Sequence, residues 1–109
     1  MNLHNLFHAK SIAVVGASAT PGKVGYVIMN NLLKSGYKGK LFAVNPKHKE
    51  VLGVKCYAKL TEIPEKIEMA IIAVPAKVVP AIVEDMHRKG IEYFELVQKV
   101  LFICFVVIF

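Results

Sequence analysis

The chain has 109 residues, with 14 Lys and Arg against 8 Asp and Glu, for a formal charge of +6. That length supports one core and excludes a catalytic machine of two full domains unless a second chain supplies the rest. Apolar residues at 55% and charged residues at 20% exclude an intrinsically disordered chain.

The stretch from Met1 to Lys10 contains His4, Asn5 and His8 and no apolar h-region, so no signal peptide and a cytoplasmic site are expected. Ser11 to Val15 (SIAVV) is a short apolar run that predicts a strand buried on both faces. Gly16 to Gly25 (GASATPGKVG) reads as a loop of small residues. From Lys23 the period becomes helical, with Val24, Val27, Ile28 and Leu32 on one face and Gly36 as the stop. Lys40 to Val44 (KLFAV) predicts a second strand ending at Asn45-Pro46, and Val54 to Tyr57 a short extra one. Thr61 to Lys66 reads as a turn or a single helical turn. Glu68 to Val74 (EMAIIAV) predicts another buried strand, closed by Pro75. Lys77 to Lys89 carries Val78, Val79, Ile82, Val83 and Met86 at helical spacing, with Pro80 tolerable near the first turn and Gly90 as the stop. The last ten residues, Val100 to Phe109 (VLFICFVVIF), are all apolar. They are too short for a membrane span, which takes about 20 residues, and predict either a buried strand or an abnormal end of the chain. Cys56 and Cys104 are too few for a disulfide framework.

Strands alternating with helices predict an α/β domain, Rossmann-like and doubly wound, with a mostly parallel sheet. Ligands of such sheets bind beyond the carboxyl ends of the strands at the switch point. The loop after Val15, the turn after Val44 and the turn after Val74 are therefore expected to converge. Small residues between a first strand and a helix let the backbone approach an anion, and the helix N-terminus offers it free N–H groups. Gly16, Ser18, Thr20, Gly22, Lys23 and Gly25 have this character. A Walker A loop does not fit, because Gly16 and Gly22 enclose five residues and Lys23 precedes Val24 instead of a hydroxyl. A dinucleotide G-x-G-x-x-G does not fit either, because position 18 is Ser. The second strand ends without the acid that holds a ribose 2′-OH, and Lys47, His48 and Lys49 follow it. That pattern suits a nucleotide with an extra ribose phosphate, either NADP or coenzyme A. The other lysines are dispersed along the chain, so nucleic acid is not an expected partner, and with the terminal apolar run too short to span, neither is a membrane.

VGAS at residues 15–18, PGKVGY at 21–26, the VNP turn at 44–46, Leu52-Gly53 with Lys55 and Tyr57, and AVPA at 73–76 occur together and in order. From about Phe7 to Gly90 the chain resembles the N-terminal CoA-binding domain of the NDP-forming acyl-CoA synthetases. These are the ADP-forming acetate–CoA ligase group, related to the alpha subunit of succinyl-CoA synthetase. The resemblance implies a Rossmann-like domain over 1–90 that binds CoA. It implies that Gly16 and the loop Ser18, Ala19, Thr20 and Pro21 lie against the nucleotide and its phosphates, with Lys23 aiding them. Lys47 is implied near the nucleotide, and Val74, Pro75 and Ala76 along the CoA. It also implies a family reaction, acid, CoA and ATP to acyl-CoA, ADP and phosphate, that runs through a phosphohistidine domain and an ATP-grasp domain lying outside this sequence. The chain alone is thus expected to bind and not to turn over, with no catalytic or metal-binding residue, and with an ATP-grasp subunit or a second copy as partner. An NADP-binding Rossmann domain of an oxidoreductase or redox sensor is the alternative. Cys56 is expected to be a strand residue, and His4, His8, His48 and His87 surface or satisfied histidines. Residues 91–109 depart from the family pattern and are expected to be a last strand or a truncated or frameshifted end.

Overall fold

The computed structural model describes residues 9–91, together with the backbone of residues 93–98 and 105–108. Expectations for His4, His8, Cys104 and the side chains of the terminal apolar run lie outside the described residues.

Strand β1 (Ser11–Val15) leads through a loop into helix α1 (Val24–Lys34), which returns to β2 (Lys40–Val44). Two short strands follow, β3 (Glu50–Val51) and β4 (Val54–Tyr57), then a 3-10 turn at Leu60–Glu62 and strand β5 (Met69–Ile72). A second 3-10 turn at Ala76–Val78 opens helix α2 (Val79–Lys89), and the chain continues into β6 (Tyr93–Gln98) and β7 (Phe105–Ile108). These form one sheet in the order β3-β4-β2-β1-β5-β6-β7. Its five inner strands are parallel, while β3 and β7 run antiparallel to their neighbours β4 and β6. The chain builds outward from β1 to β2 and β4, then crosses back to place β5 on the other side of β1. This reversal leaves a crevice at the carboxyl ends of β1 and β5, as a doubly wound sheet requires.

Alternation along β1 decides which side chain faces which helix. Ile12 and Val14 join Ile28, Met29 and Leu32 of α1 in one cluster, while Ala13 and Val15 join Met86 of α2 and Leu60, Ile63 and Ile67 in the other. Each β1 residue is buried, so the continuous apolar run follows from burial on both faces. Cys56 is a buried β4 residue, as expected, and burial pushes its thiol pKa up against the opposing contact to the Asn45 carbonyl. His48 and His87 are exposed.

The helix faces differ from the sequence expectation. In α1 the buried line is Gly25, Ile28, Met29 and Leu32, and Val27 is 39% exposed. Gly25, Ile28, Met29 and Leu32 are three and four residues apart and share one side of the helix, which leaves Val27 on the other. In α2 only Met86 is buried; Val79 and Ile82 pack against the core from its margin, while Val78 and Val83 face solvent. The 3-10 turn takes Val78 out of the α-helical register. Pro80 lies in the first turn, where no N–H donor is required. The hairpin strand β3 has no counterpart in the sequence reading, because two residues carry no period.

Candidate functional site

Three segments leave the carboxyl edge of the sheet side by side. The first is the β1–α1 loop. The Gly16 N–H donates to the Val44 carbonyl at 2.8 Å, and the Ala73 N–H donates to the Val15 carbonyl at 2.8 Å. Gly16 has φ 91°, and a Cβ there would overlap the Ala73 carbonyl oxygen and crowd Val74. Only glycine satisfies both demands, so the exit of β1 is clasped between the ends of β2 and β5. Ala17 is fully buried beneath the loop. Ser18 is half-buried, and its Oγ accepts the Thr20 N–H at 3.0 Å, a local turn that keeps the loop compact. Ala19, Thr20 and Pro21 are exposed.

Lys23 stands at the N-cap of α1, and no side chain caps the helix. The first intrahelical bond runs from Val27 N–H to the Lys23 carbonyl at 3.1 Å. The amides of Val24, Gly25 and Tyr26 therefore have no partner within the helix. The first turn has no acidic residue to satisfy its positive end. Gly25 brings that turn against the loop: a Cβ there would overlap the Gly16 carbonyl oxygen.

The second segment is the turn after β2, which Asn45 organises. Its N–H donates to the Tyr57 carbonyl at 2.9 Å, continuing the pairing of β2 with β4. Its Oδ1 accepts the Lys47 N–H at 2.9 Å, and its Nδ2 donates to the Ala17 carbonyl at 2.9 Å. The side chain thus ties the β2 turn to the β1–α1 loop. Lys47 is exposed and its backbone is fixed by that turn. The sequence reading treated Asn45 as a strand end and part of the VNP turn, with no role for its side chain. The signal available was an Asn two residues before Lys47, the spacing of an Asx turn.

The third segment follows β5. Val74 is half-buried in the α2-side cluster and adjoins Gly16. Pro75 caps the 3-10 turn, its carbonyl accepting the Val78 N–H at 2.9 Å, and Pro75 and Ala76 are exposed. Gly16 is thus brought together with Val74 directly, and with the Lys47 turn through Val44, Asn45 and Ala17. Ser18 through Lys23 continue the same loop. No contact joins the side chains of Lys23 and Lys47. The three segments, residues 16–25, 45–49 and 73–78, contain Lys23, Lys47, Lys49 and Lys77 and no Asp or Glu. Unpartnered amides, a helix N-terminus and cations without acids form a cradle suited to a phosphorylated ligand. Among the described residues no three His, Cys, Asp or Glu side chains come together as a metal site, and no helix is long and apolar enough to cross a membrane.

The chain is 46% identical to the alpha subunit of acetate–CoA ligase [ADP-forming] I of Pyrococcus furiosus over 103 residues, 91% of this chain and 22% of that protein. Its fold superposes with TM-score 0.79 on a dinucleotide-forming acetyl-coenzyme A synthetase 1 of Ca. Korarchaeum cryptofilum, solved in complex with phosphate and ADP. That match has 41% identity and covers 85% of this chain and 20% of the other. A conserved hypothetical protein from Pyrococcus furiosus matches with TM-score 0.73 and 32% identity, over 80% of this chain and 73% of that one. The chain thus spans about a fifth of the length of the first two relatives. The family model for a CoA binding domain matches residues 10–101, which reaches past Gly90 through β6. On that match, which includes all three segments of the cradle, the chain belongs to the CoA-binding domain family.

Proposed function

We propose that this chain is the CoA-holding module of an ADP-forming acyl-CoA synthetase. The observation that carries the proposal is the cradle: three strand-end segments stitched by Gly16, Val44, Asn45 and Ala17, with cations and no acid. The residues fit the group. Gly16, Ser18, Ala19, Thr20 and Pro21, with the first amides of α1 and Lys23, would hold the pyrophosphate. Lys47 would meet the phosphate on the ribose, where a dinucleotide site of the NAD type would carry an acid. Val74, Pro75 and Ala76 would line the path of the pantetheine arm. Every one of these residues precedes Gly90, so residues 1–90 would suffice to hold the ligand and the later strands would complete the sheet.

Holding CoA is a partial function. The relatives named as ADP-forming ligases are several times longer, and their names state the formation of ADP with acetate and CoA. This chain would supply the thiol carrier to a phosphohistidine and ATP-grasp apparatus, as part of the same protein or as a partner subunit in the cytoplasm. By itself it would bind CoA without converting it.

Calorimetric titration with CoA, dephospho-CoA, NADPH and NADH tests this. CoA is expected to bind most tightly, with dephospho-CoA weaker. A charge-assisted contact to the extra phosphate contributes about 1.5–3 kcal/mol, which corresponds to roughly ten- to a hundredfold. Tighter binding of NADPH than of CoA would assign the cradle to a nicotinamide cofactor instead.

A further inference from the structure

We propose that Asn45 is a positioning residue that sets the spacing between the two phosphate-holding parts of the cradle, the β1–α1 loop and the Lys47 turn. This rests on the CoA reading above. All the polar groups of Asn45 are engaged. The backbone N–H goes to Tyr57, the carbonyl accepts the His48 N–H at 3.3 Å, Oδ1 takes the Lys47 N–H and Nδ2 gives to Ala17. The two side-chain bonds point to different segments, so one planar amide fixes their separation. Pro46 follows directly and restricts Asn45 to extended backbone, which pre-sets the amide for this bridge. Ala17, the far anchor, is fully buried and cannot follow a displaced loop without disturbing the core. A ligand with charged groups at two places gains from both only if their holders are correctly spaced. Asn45 itself need not touch the ligand.

The two halves of the amide can be separated. Asn45→Ser retains a short acceptor for the Lys47 N–H, because a serine hydroxyl supports the same turn. It is too short to reach Ala17 as well. Asn45→Ala removes both bonds. The parent chain and both variants are titrated with CoA and with dephospho-CoA, and their melting is followed alongside. Asn45→Ser loses the tie to Ala17 and with it the set spacing, so it is expected to weaken CoA by about tenfold, the scale of one well-placed hydrogen bond, and dephospho-CoA less, moving the preference toward one. Asn45→Ala is expected to weaken both and to move the preference toward one. A role confined to folding would lower melting without changing the ratio. Variants that melt cooperatively and keep the parent's ratio of CoA to dephospho-CoA affinity overturn the proposal. Should either variant not fold, the parent decides by NMR. CoA is expected to shift the Asn45 side-chain amide together with the Lys47 N–H, and an Asn45 amide unmoved at saturation overturns it. A parent chain that binds neither ligand overturns the CoA reading itself, a result that no Asn45 variant can mimic.

Discussion

The first turn of α1 rests on the backbone of the β1 exit, with Gly25 so close to Gly16 that a Cβ would overlap the Gly16 carbonyl oxygen. The Gly16 backbone cannot yield, because it is already held by Val44 and adjoins Ala73, so the helix must give way. Gly25→Ala is expected to destabilise the fold by about 1–3 kcal/mol, the usual scale of overpacking. It should also weaken CoA binding, since relief of the clash lifts the helix N-terminus from the loop. Urea denaturation and calorimetric titration of the variant would read the two effects. A variant as stable as the parent would show that the helix tolerates a larger separation than the structure has.

Lys47 carries the discrimination of the ribose phosphate in the proposed function. Lys47→Ala is expected to lose CoA affinity by about tenfold or more while dephospho-CoA affinity changes little. Its side chain is exposed, so melting should be unaffected. Equal losses for both ligands would place the extra phosphate elsewhere.

Ser11 sits buried at the start of β1, where its Oγ donates to the Lys66 carbonyl at 2.9 Å and accepts the Glu68 N–H at 2.9 Å. It thereby ties the entry of β1 to the segment that leads into β5. Ser11→Ala would leave both backbone groups without their partner, at a cost of about 1–3 kcal/mol. Ser11→Cys keeps nearly the same volume with a far weaker hydrogen-bonding group and is the control for lost volume against lost bonding. Chemical denaturation of the pair would separate them.

Tyr37 donates its hydroxyl to the Ala9 carbonyl at 2.6 Å and is partly buried. Desolvation, aided by the Glu68 charge, pushes its pKa from 10.0 up to about 12. The folded state therefore holds this proton at pH values where the unfolded chain has released it. The resulting stability is fully present below pH 10 and is lost as pH rises toward 12. Tyr37→Phe is expected to flatten the fall of stability across that window, measured as urea midpoints against pH. An identical slope in parent and variant would remove Tyr37 as its source.

The β3–β4 hairpin turns through Leu52 at φ 51° and Gly53 at φ 82°, between the paired Val51 and Val54. A two-residue turn with both angles positive favours Asn or Asp followed by Gly. Leucine in this conformation costs about 1–2 kcal/mol. Leu52 is 37% exposed, so the burial lost on replacing it offsets part of the gain from removing that cost. Leu52→Asn is expected to stabilise the domain by about 0.5–1 kcal/mol, read from the shift in denaturation midpoint.

The parallel strands were legible because burial on both faces leaves an unbroken apolar run, as in SIAVV and MAII. The convergence of Gly16, the Lys47 turn and Val74 followed from the doubly wound order, since the reversal beside β1 determines where the loops meet. The sequence reading puts Val27 on the face of Ile28 and Leu32, yet it is one and five positions from them, and the buried line of Gly25, Ile28, Met29 and Leu32 leaves it on the opposite side. What the sequence withheld was set by tertiary contact. Asn45 looked like punctuation before Pro46, because its partner Ala17 is 28 residues away along the chain. The two-residue β3 exists only by pairing with β4.

That brief β3 also bounds how the molecule meets its neighbours along one margin. It offers a passing chain just Glu50 and Val51 before the hairpin turns back, and Glu50 adds an exposed carboxylate. Fibre growth by strand addition needs a longer, uncharged ladder, so this border of the sheet is a poor template for polymerisation even in a crowded solution.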